Sequence, residues 1–167
     1  PGSQVLMVSP SGKVLARVQK EMNAQLPALS RQAYLRDVLK QGTHFVQARS
    51  LAEAVRVVED YSPEHLSLVV KNGRLLAKSI RNAGAIFLGN YSPVAAGDFL
   101  AGPSHTLPTG GAGKSFPGLM VQHFFKRTSV VEYGEKHLAK VVPHIEAFAG
   151  VEHLDAHGRS ASIRQKG

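Results

Sequence analysis

The sequence predicts an α/β protein: an incomplete Rossmann-like parallel sheet with flanking helices, followed by a small, mainly helical C-terminal arm. Short apolar runs that suit buried parallel strands alternate with segments of helical period. The chain has 167 residues and 43% hydrophobic content, enough to bury the core of one domain with a small appendage. We therefore assign residues 1–118 to the α/β domain and 119–167 to an arm too thin to fold alone.

The elements of the α/β domain follow from strand and helix signals in chain order. Four strands are predicted at residues 4–9, 44–46, 66–70 and 85–88. Helices are predicted at about residues 14–26, 30–42, 50–58 and 74–82. Ser30 and Ser50 are the expected N-caps of two of them, and Pro27 ends the helix before Ser30. This order predicts one parallel sheet with right-handed crossovers.

The second half of the chain is less regular. Residues 89–118 are rich in Gly, Pro, Ser and Thr, which predicts a long functional loop after the fourth strand. Asp98 lies in this loop, beyond the carboxyl end of that strand, where parallel sheets bind ligands. In the arm we expect a helix at 119–125, a strand at 129–133 and a helix at 135–148 that tolerates Pro143.

Composition limits the class of protein. The chain has no Cys, so a metal would be held by His, Asp, Glu or amide oxygens. With no apolar run of about 18 residues and no basic-then-apolar leader, we expect a soluble cytoplasmic protein without a membrane partner. The chain starts at Pro1 and enters a strand at once, so we expect a fragment of a larger protein. The net charge of +8 fits a nucleic-acid surface or a basic part of such a protein.

Titratable side chains at a few points suggest acid, base and metal-ligand chemistry. Glu64 and His65 follow the rigid Pro63, and an imidazole changes protonation near neutral pH. The further candidates are Asp98, His105, Glu152 and His157. Each also has an ordinary interpretation, because a single loop His is usually solvated, Gly-Asp often makes a turn, and residues five apart do not share a helical face.

Two other motifs are less convincing. Gly113-Lys114-Ser115 resembles the end of a phosphate-binding loop, but the fingerprint needs a Gly where Pro108 stands. The run from Phe124 to Arg127 mixes aromatic and basic residues, as in single-strand binders, but a helix with one apolar face explains it more simply. We expect no nucleic-acid partner.

Six strings in order resemble the histidinol dehydrogenase family over nearly the whole chain. They are Ser62-Pro63-Glu64-His65-Leu66, the run from Asn82 to Gly89, Gly97-Asp98, His105-Thr106-Leu107-Pro108-Thr109, the run from Lys126 to Val130, and the run from Glu152 to His157. The resemblance implies an enzyme that oxidises L-histidinol to L-histidine in two NAD-dependent steps, the last of histidine biosynthesis. It also implies a zinc ion and a homodimer.

The resemblance also implies roles for individual residues. His65 would be the general base of both oxidations, and Glu64 would activate water for attack on the aldehyde. Asp98 and His157 would be zinc ligands, and His65, Asp98, His105, Glu152 and His157 would contact the substrate. The arm would cross to the partner subunit, so that each active site is shared.

Parts of the family pattern do not fall within this chain. Two further zinc ligands, a Gln and a His, are expected just upstream of Gln4, and the nicotinamide-nucleotide site lies in an earlier half. No cofactor-binding residue is therefore assigned here, and we expect the chain alone to be inactive. Two other hypotheses stand beside the enzyme: a catalytically dead stand-alone dimerisation domain, and a basic nucleic-acid-binding module.

Overall fold

The computed structural model describes residues 2–165, which divide into two compact units between Phe124 and Phe125. The first unit contains all four strands found in the described part of the chain. The second contains two helices and a short 3-10 turn. The division between the units falls at the end of the segment predicted as a helix over 119–125.

The first unit begins with a βαβ arrangement. Its elements are β1 (Val5–Ser9), α1 (Gly12–Gln25), a 3-10 turn (Leu26–Ala28), α2 (Gln32–Asp37), a π turn (Val38–Gly42) and β2 (Thr43–Gln47). Strands β1 and β2 pair in parallel, with Val5 opposite Thr43. The Ser11 hydroxyl caps α1 by accepting a bond from Val14 N. Leu15 of α1 and Leu26 of the 3-10 turn that follows it are buried and belong to the core.

The second half of the unit repeats this arrangement and carries the candidate site. Its elements are α3 (Leu51–Tyr61), β3 (His65–Leu68), α4 (Gly73–Ala77), β4 (Ala85–Leu88) and α5 (Val94–Phe99). Strands β3 and β4 pair in parallel, with His65 opposite Ala85. Ser50 caps α3 by accepting a bond from Glu53 N, as its sequence predicts. Leu66 and Leu68 are buried, so this face of β3 belongs to the core.

The α/β class and the parallel pairing are confirmed, but the strands of the described residues do not form one sheet. They form two separate two-stranded sheets, β1–β2 and β3–β4. The strand positions agree closely with the sequence, and β4 has the predicted bounds. Apolar alternation identifies a strand, whereas sheet membership depends on which neighbouring strands pair with it.

Several predicted elements were wrong or too long. Helix α2 begins at Gln32 without a side-chain cap from Ser30, and α4 ends at Ala77 rather than Asn82. Residues 129–133 are not a strand, and the helix predicted at 119–125 is a 3-10 turn at Val121–Phe124. Val130 and Val131 are mostly exposed, so their β-branched side chains have no sheet to pack against.

The second unit is a helical hairpin. It consists of α6 (Glu135–Val151), α7 (Asp155–Ser162) and a 3-10 turn (Ile163–Gln165). Pro143 lies within α6, as expected from the sequence. The helices approach closely at Gly158, where an added Cβ would lie 3.3 Å from Ala149 Cβ. Val142, Ala149 and Ala161 are buried between them.

Among the helices of the described residues, none is both long enough and apolar enough to cross a bilayer.

The N-terminal turn of α3 makes a pH-dependent contribution to stability. Glu53 accepts bonds from the Arg49 guanidinium at 2.8 and 3.1 Å and from the Arg49 backbone N–H at 2.6 Å. These bonds, first from the side chain and then from the backbone, lower the pKa of Glu53 to about 2 from its ordinary value of 4.5. Because the folded pKa is the lower one, the contribution is present above about pH 4.5 and is lost as the pH falls towards 2.

We expect Glu53→Gln to reduce the free energy of unfolding at pH 6, because it removes the charge that Arg49 pairs with. The difference from the parent should shrink between pH 4.5 and pH 2, the interval between the two pKa values. Urea unfolding at stepped pH measures this, with Glu21→Gln on α1 as an exposed control. A difference that stays constant across this interval would contradict the assignment.

Candidate functional site

The turn before β3 positions the Glu64–His65 pair. Helix α3 ends at Ser62, which has a left-handed backbone (φ +52°) and is 1% exposed. Pro63 and Glu64 then run beside the start of β4, since Gly84 N donates to Pro63 O at 3.0 Å and Ala85 N donates to Glu64 O at 2.9 Å. The backbone of the pair is therefore held by the neighbouring strand.

His65 and Asp98 meet across the first unit. His65 Nε2 lies 3.3 Å from Asp98 Oδ1, and the two side chains are 25% and 32% exposed. Asp98 lies in helix α5 and not in an irregular loop, so the prediction of a loop over all of 89–118 was wrong here. When Nε2 donates the proton of this bond, Nδ1 carries the free lone pair and is the basic nitrogen.

An aromatic side chain of β4, Phe87, lies beside the His65 ring. The His65 and Phe87 rings have centroids 6.0 Å apart, tilted by 38°. Helix α5 crosses Phe87 at Gly97, where an added Cβ would lie 2.5 Å from Phe87 Cε1. The glycine allows α5 to come close enough for the next residue, Asp98, to reach His65. Sequence analysis missed Phe87, although it shares a strand face with Ala85, the partner of His65.

The candidate residues of the first unit line one cleft. It has a volume of about 320 Å³ and is lined by Glu64, His65, Asp98, Phe99 and His105. His105 is exposed. The next residue, Thr106, accepts a backbone hydrogen bond from Leu119 N at 2.9 Å, which holds this segment in place. The general rule for parallel sheets suggested a site beyond the carboxyl ends of the strands. The cleft instead includes His65, the first residue of β3, so it lies at the amino end of that strand. Four of the six candidate residues thus meet.

The other two candidates lie in the second unit. Glu152 follows the last turn of α6 and His157 lies in α7, and both line a cleft of about 400 Å³. Although five residues apart, they face the same space because the chain turns at His153, which has a positive φ of 57°. Tyr133, His144, Phe148 and Leu154 share this cleft. His144 lies four residues before Phe148 on α6, a helical spacing that could have identified it.

The donor types suit zinc, but the described residues do not complete a site. A carboxylate oxygen and an imidazole nitrogen are common zinc ligands, usually four in number. Across residues 2–165, no three His, Asp or Glu side chains come together in a way that could hold a metal. Asp98 and His157 belong to different units. The chain therefore offers two donors of the right chemistry, one in each unit.

Comparison with known proteins identifies the family. The model of the histidinol dehydrogenase family matches residues 1–165. The chain belongs to this family. Curated histidinol dehydrogenases of Geobacter metallireducens and Geobacter sulfurreducens are 46% identical over 151 residues and 44% identical over 150 residues, each match covering 90% of this chain. The crystal structure of histidinol dehydrogenase from Elizabethkingia anophelis matches 98% of the chain with a TM-score of 0.91 and 32% identity.

The chain spans about a third of the length of these histidinol dehydrogenases. The two Geobacter matches each cover 35% of the relative, and the structural match covers 38% of that chain. The matched segment is the C-terminal portion of the relatives. The family identification therefore applies to this segment.

We expect Gly97→Ala to destabilise the first unit by about 1–3 kcal/mol, because the new methyl group collides with the Phe87 ring and forces α5 outward. Urea unfolding measures the loss. Ala95→Ser, an exposed change in the same helix, is the control and should stay within about 0.5 kcal/mol. Equal stability of Gly97→Ala and the parent would show that α5 does not pack on Phe87 this closely.

Proposed function

We propose that this chain is the C-terminal catalytic portion of a zinc-dependent, NAD-linked histidinol dehydrogenase. The enzyme converts L-histidinol through L-histidinaldehyde to L-histidine in the cytoplasm. Family membership supports the substrate class. The observation that carries the proposal is the meeting of four polar side chains around one cleft: Glu64, His65, Asp98 and His105. This set combines an imidazole base, two carboxylates and further polar contacts for an imidazole-bearing substrate.

His65 moves protons in both oxidations. In the first, the hydroxyl proton of the alcohol passes to the His65 imidazole, and NAD, when bound, would supply the hydride acceptor. Asp98 orients that imidazole through the 3.3 Å contact and favours the tautomer whose Nδ1 is free. The Phe87 ring, with its centroid 6.0 Å away, restricts the His65 ring on one side. A base held in place in this way can contribute 10²- to 10⁴-fold in rate, about the range of general base catalysis.

Glu64 serves the second oxidation. Glu64 accepts a proton from the water that attacks the aldehyde carbon, while the protonated His65 returns its proton to the aldehyde oxygen. His65 then accepts a hydroxyl proton of the hydrate as it is oxidised, with NAD, when bound, as the hydride acceptor. Glu64 borders the same cleft as His65, since the two are consecutive at the start of β3. The main-chain bond from Ala85 N to Glu64 O holds this residue in place before substrate binds.

Asp98 and His157 are our proposed zinc ligands within this chain. When bound, the ion would act as a Lewis acid and orient the substrate. The oxygen donor comes from the first unit and the nitrogen donor from the second, so neither unit holds the ion by itself. We propose a homodimer in which the second unit of one copy supplies Glu152 and His157 to the site of the other.

A full-length test enzyme is needed, because the chain matches only about a third of its relatives. If the reading frame continues upstream, the natural complete protein is used as the test enzyme. A chimera, in which this chain replaces the matching segment of the Geobacter metallireducens enzyme, serves otherwise. NADH formed from L-histidinol reports turnover, and atomic absorption reports zinc content. A correctly folded, zinc-loaded test enzyme without turnover would overturn the proposed function.

In the test enzyme, His65→Ala should lower kcat by roughly 10²- to 10⁴-fold and leave zinc content unchanged, because the base is lost but no ligand is. Asp98→Ala should lower zinc content itself. Asp60→Ala, an exposed change at the end of α3, is the matched carboxylate control and should retain both properties. Full turnover by His65→Ala would defeat the assignment of the base.

Glu64→Gln should separate the two oxidations. The amide cannot accept a proton from water, so L-histidinaldehyde should accumulate and the NADH formed per L-histidinol should fall from two towards one. Stopped reactions with separate quantification of aldehyde and L-histidine measure this, with Glu21→Gln as control. An equal slowing of both oxidations would remove Glu64 from the specific role in water activation.

A further inference from the structure

The glycine-rich segment after His105 has no role in the steps described so far. Gly110 and Gly111 have left-handed backbones (φ +59° and +85°), and Ala112–Lys114 forms a 3-10 turn. The segment resembles a phosphate-binding loop in sequence, but it lies after α5 and not between a strand and a helix. Its contacts run instead to the turn that carries Glu64 and His65.

Gly84 is the first point of close contact. A Cβ added there would lie 2.6 Å from the backbone oxygen of Glu64, 3.1 Å from Pro108 Cδ and 3.3 Å from Leu107 Cβ. Gly84 N also donates to Pro63 O. The Leu107–Pro108 step, two residues after His105, therefore lies against Gly84, whose backbone is itself bonded to the turn before Glu64. A side chain at position 84 would separate the two segments.

Gly113 is the second point. A Cβ added there would lie 2.8 Å from the Ser62 hydroxyl oxygen and 3.7 Å from Pro108 Cγ. That hydroxyl is buried and has no hydrogen-bond partner among the described residues. A buried hydroxyl without a partner lowers stability, so hydrogen bonding does not explain the close packing around it. The 3-10 turn can approach Ser62 because Gly113 has no side chain.

From these contacts we infer that Gly84 and Gly113 are positioning residues for the proposed reaction. They let the segment from His105 to Lys114 lie against the Ser62–Glu64 turn, which sets the separation of His105 from Glu64 and His65 across the cleft. This inference rests on the proposed function, since it assigns these three side chains to one active site. Neither glycine lines the cleft, so both act through the backbone that they allow to approach.

A double-mutant cycle between Gly113 and Ser62 tests the inference in the test enzyme. Gly113→Ala should lower kcat by on the order of 10- to 100-fold with a smaller change in KM, because it displaces the turn that carries the base. Ser62→Ala removes the oxygen that the new methyl group would meet. The double variant Ser62→Ala/Gly113→Ala should therefore recover at least half of the lost kcat on a logarithmic scale, relative to Ser62→Ala alone.

Gly73→Ala is the matched control, because a Cβ at that position has only ordinary contacts, the nearest at 3.5 Å. It should keep the parental kcat. Melting temperature and zinc content are measured for every variant. If the double variant recovers its melting temperature but not its kcat, the contact is purely structural and the positioning role is overturned. Additive losses of melting temperature and kcat in the double variant would also overturn it.

The outcomes also separate this inference from the proposed function. A parental enzyme without turnover would overturn the proposed function, and the positioning role with it, while the cycle in melting temperature would still test the packing of Gly113 against Ser62. A parental enzyme that turns over, with Gly113→Ala as active as Gly73→Ala, would overturn the inference and leave the proposed function standing.

Discussion

The parallel pairing of β3 with β4 is the interaction on which the candidate site depends. It fixes His65 opposite Ala85 and places Phe87 on the same face, two residues along β4. The chain leaving β4 then returns as α5, which brings Asp98 over the ring to His65. A slip of one residue in this register would turn His65 to the side occupied by Leu66 and Leu68 and abolish the cleft.

Close backbone approach is the second constraint, and it concerns residues without side chains. Gly97 lies against Phe87, and Gly84 lies against the carbonyl of Glu64. A methyl group would meet the Phe87 ring, which lies beside His65, in the first place and the backbone of Glu64 in the second. The chemistry of the cleft therefore requires small residues at positions that take no part in proton transfer.

The sequence predicted strands well and side-chain encounters poorly. Apolar runs located all four strands of residues 2–165 because burial selects them directly, but the run at 129–133 was also predicted as a strand and is not one. Ser50 was identified as a cap because its bond is local, whereas the predicted cap at Ser30 is absent. The grouping of Glu152 with His157 was not predictable from spacing, since it depends on the positive φ of His153. Residue roles came from family resemblance, because chemistry at a site depends on tertiary geometry that no local pattern encodes.

The two strand pairs differ in the length of chain that each must close. Val5 pairs with Thr43, whereas His65 pairs with Ala85 across a loop about half as long. Each doubling of loop length adds about 0.6 kcal/mol of closure entropy, so the β3–β4 pair has the smaller entropic barrier. During folding, closing the half of the first unit that carries the cleft therefore costs less chain entropy than closing the β1–β2 half.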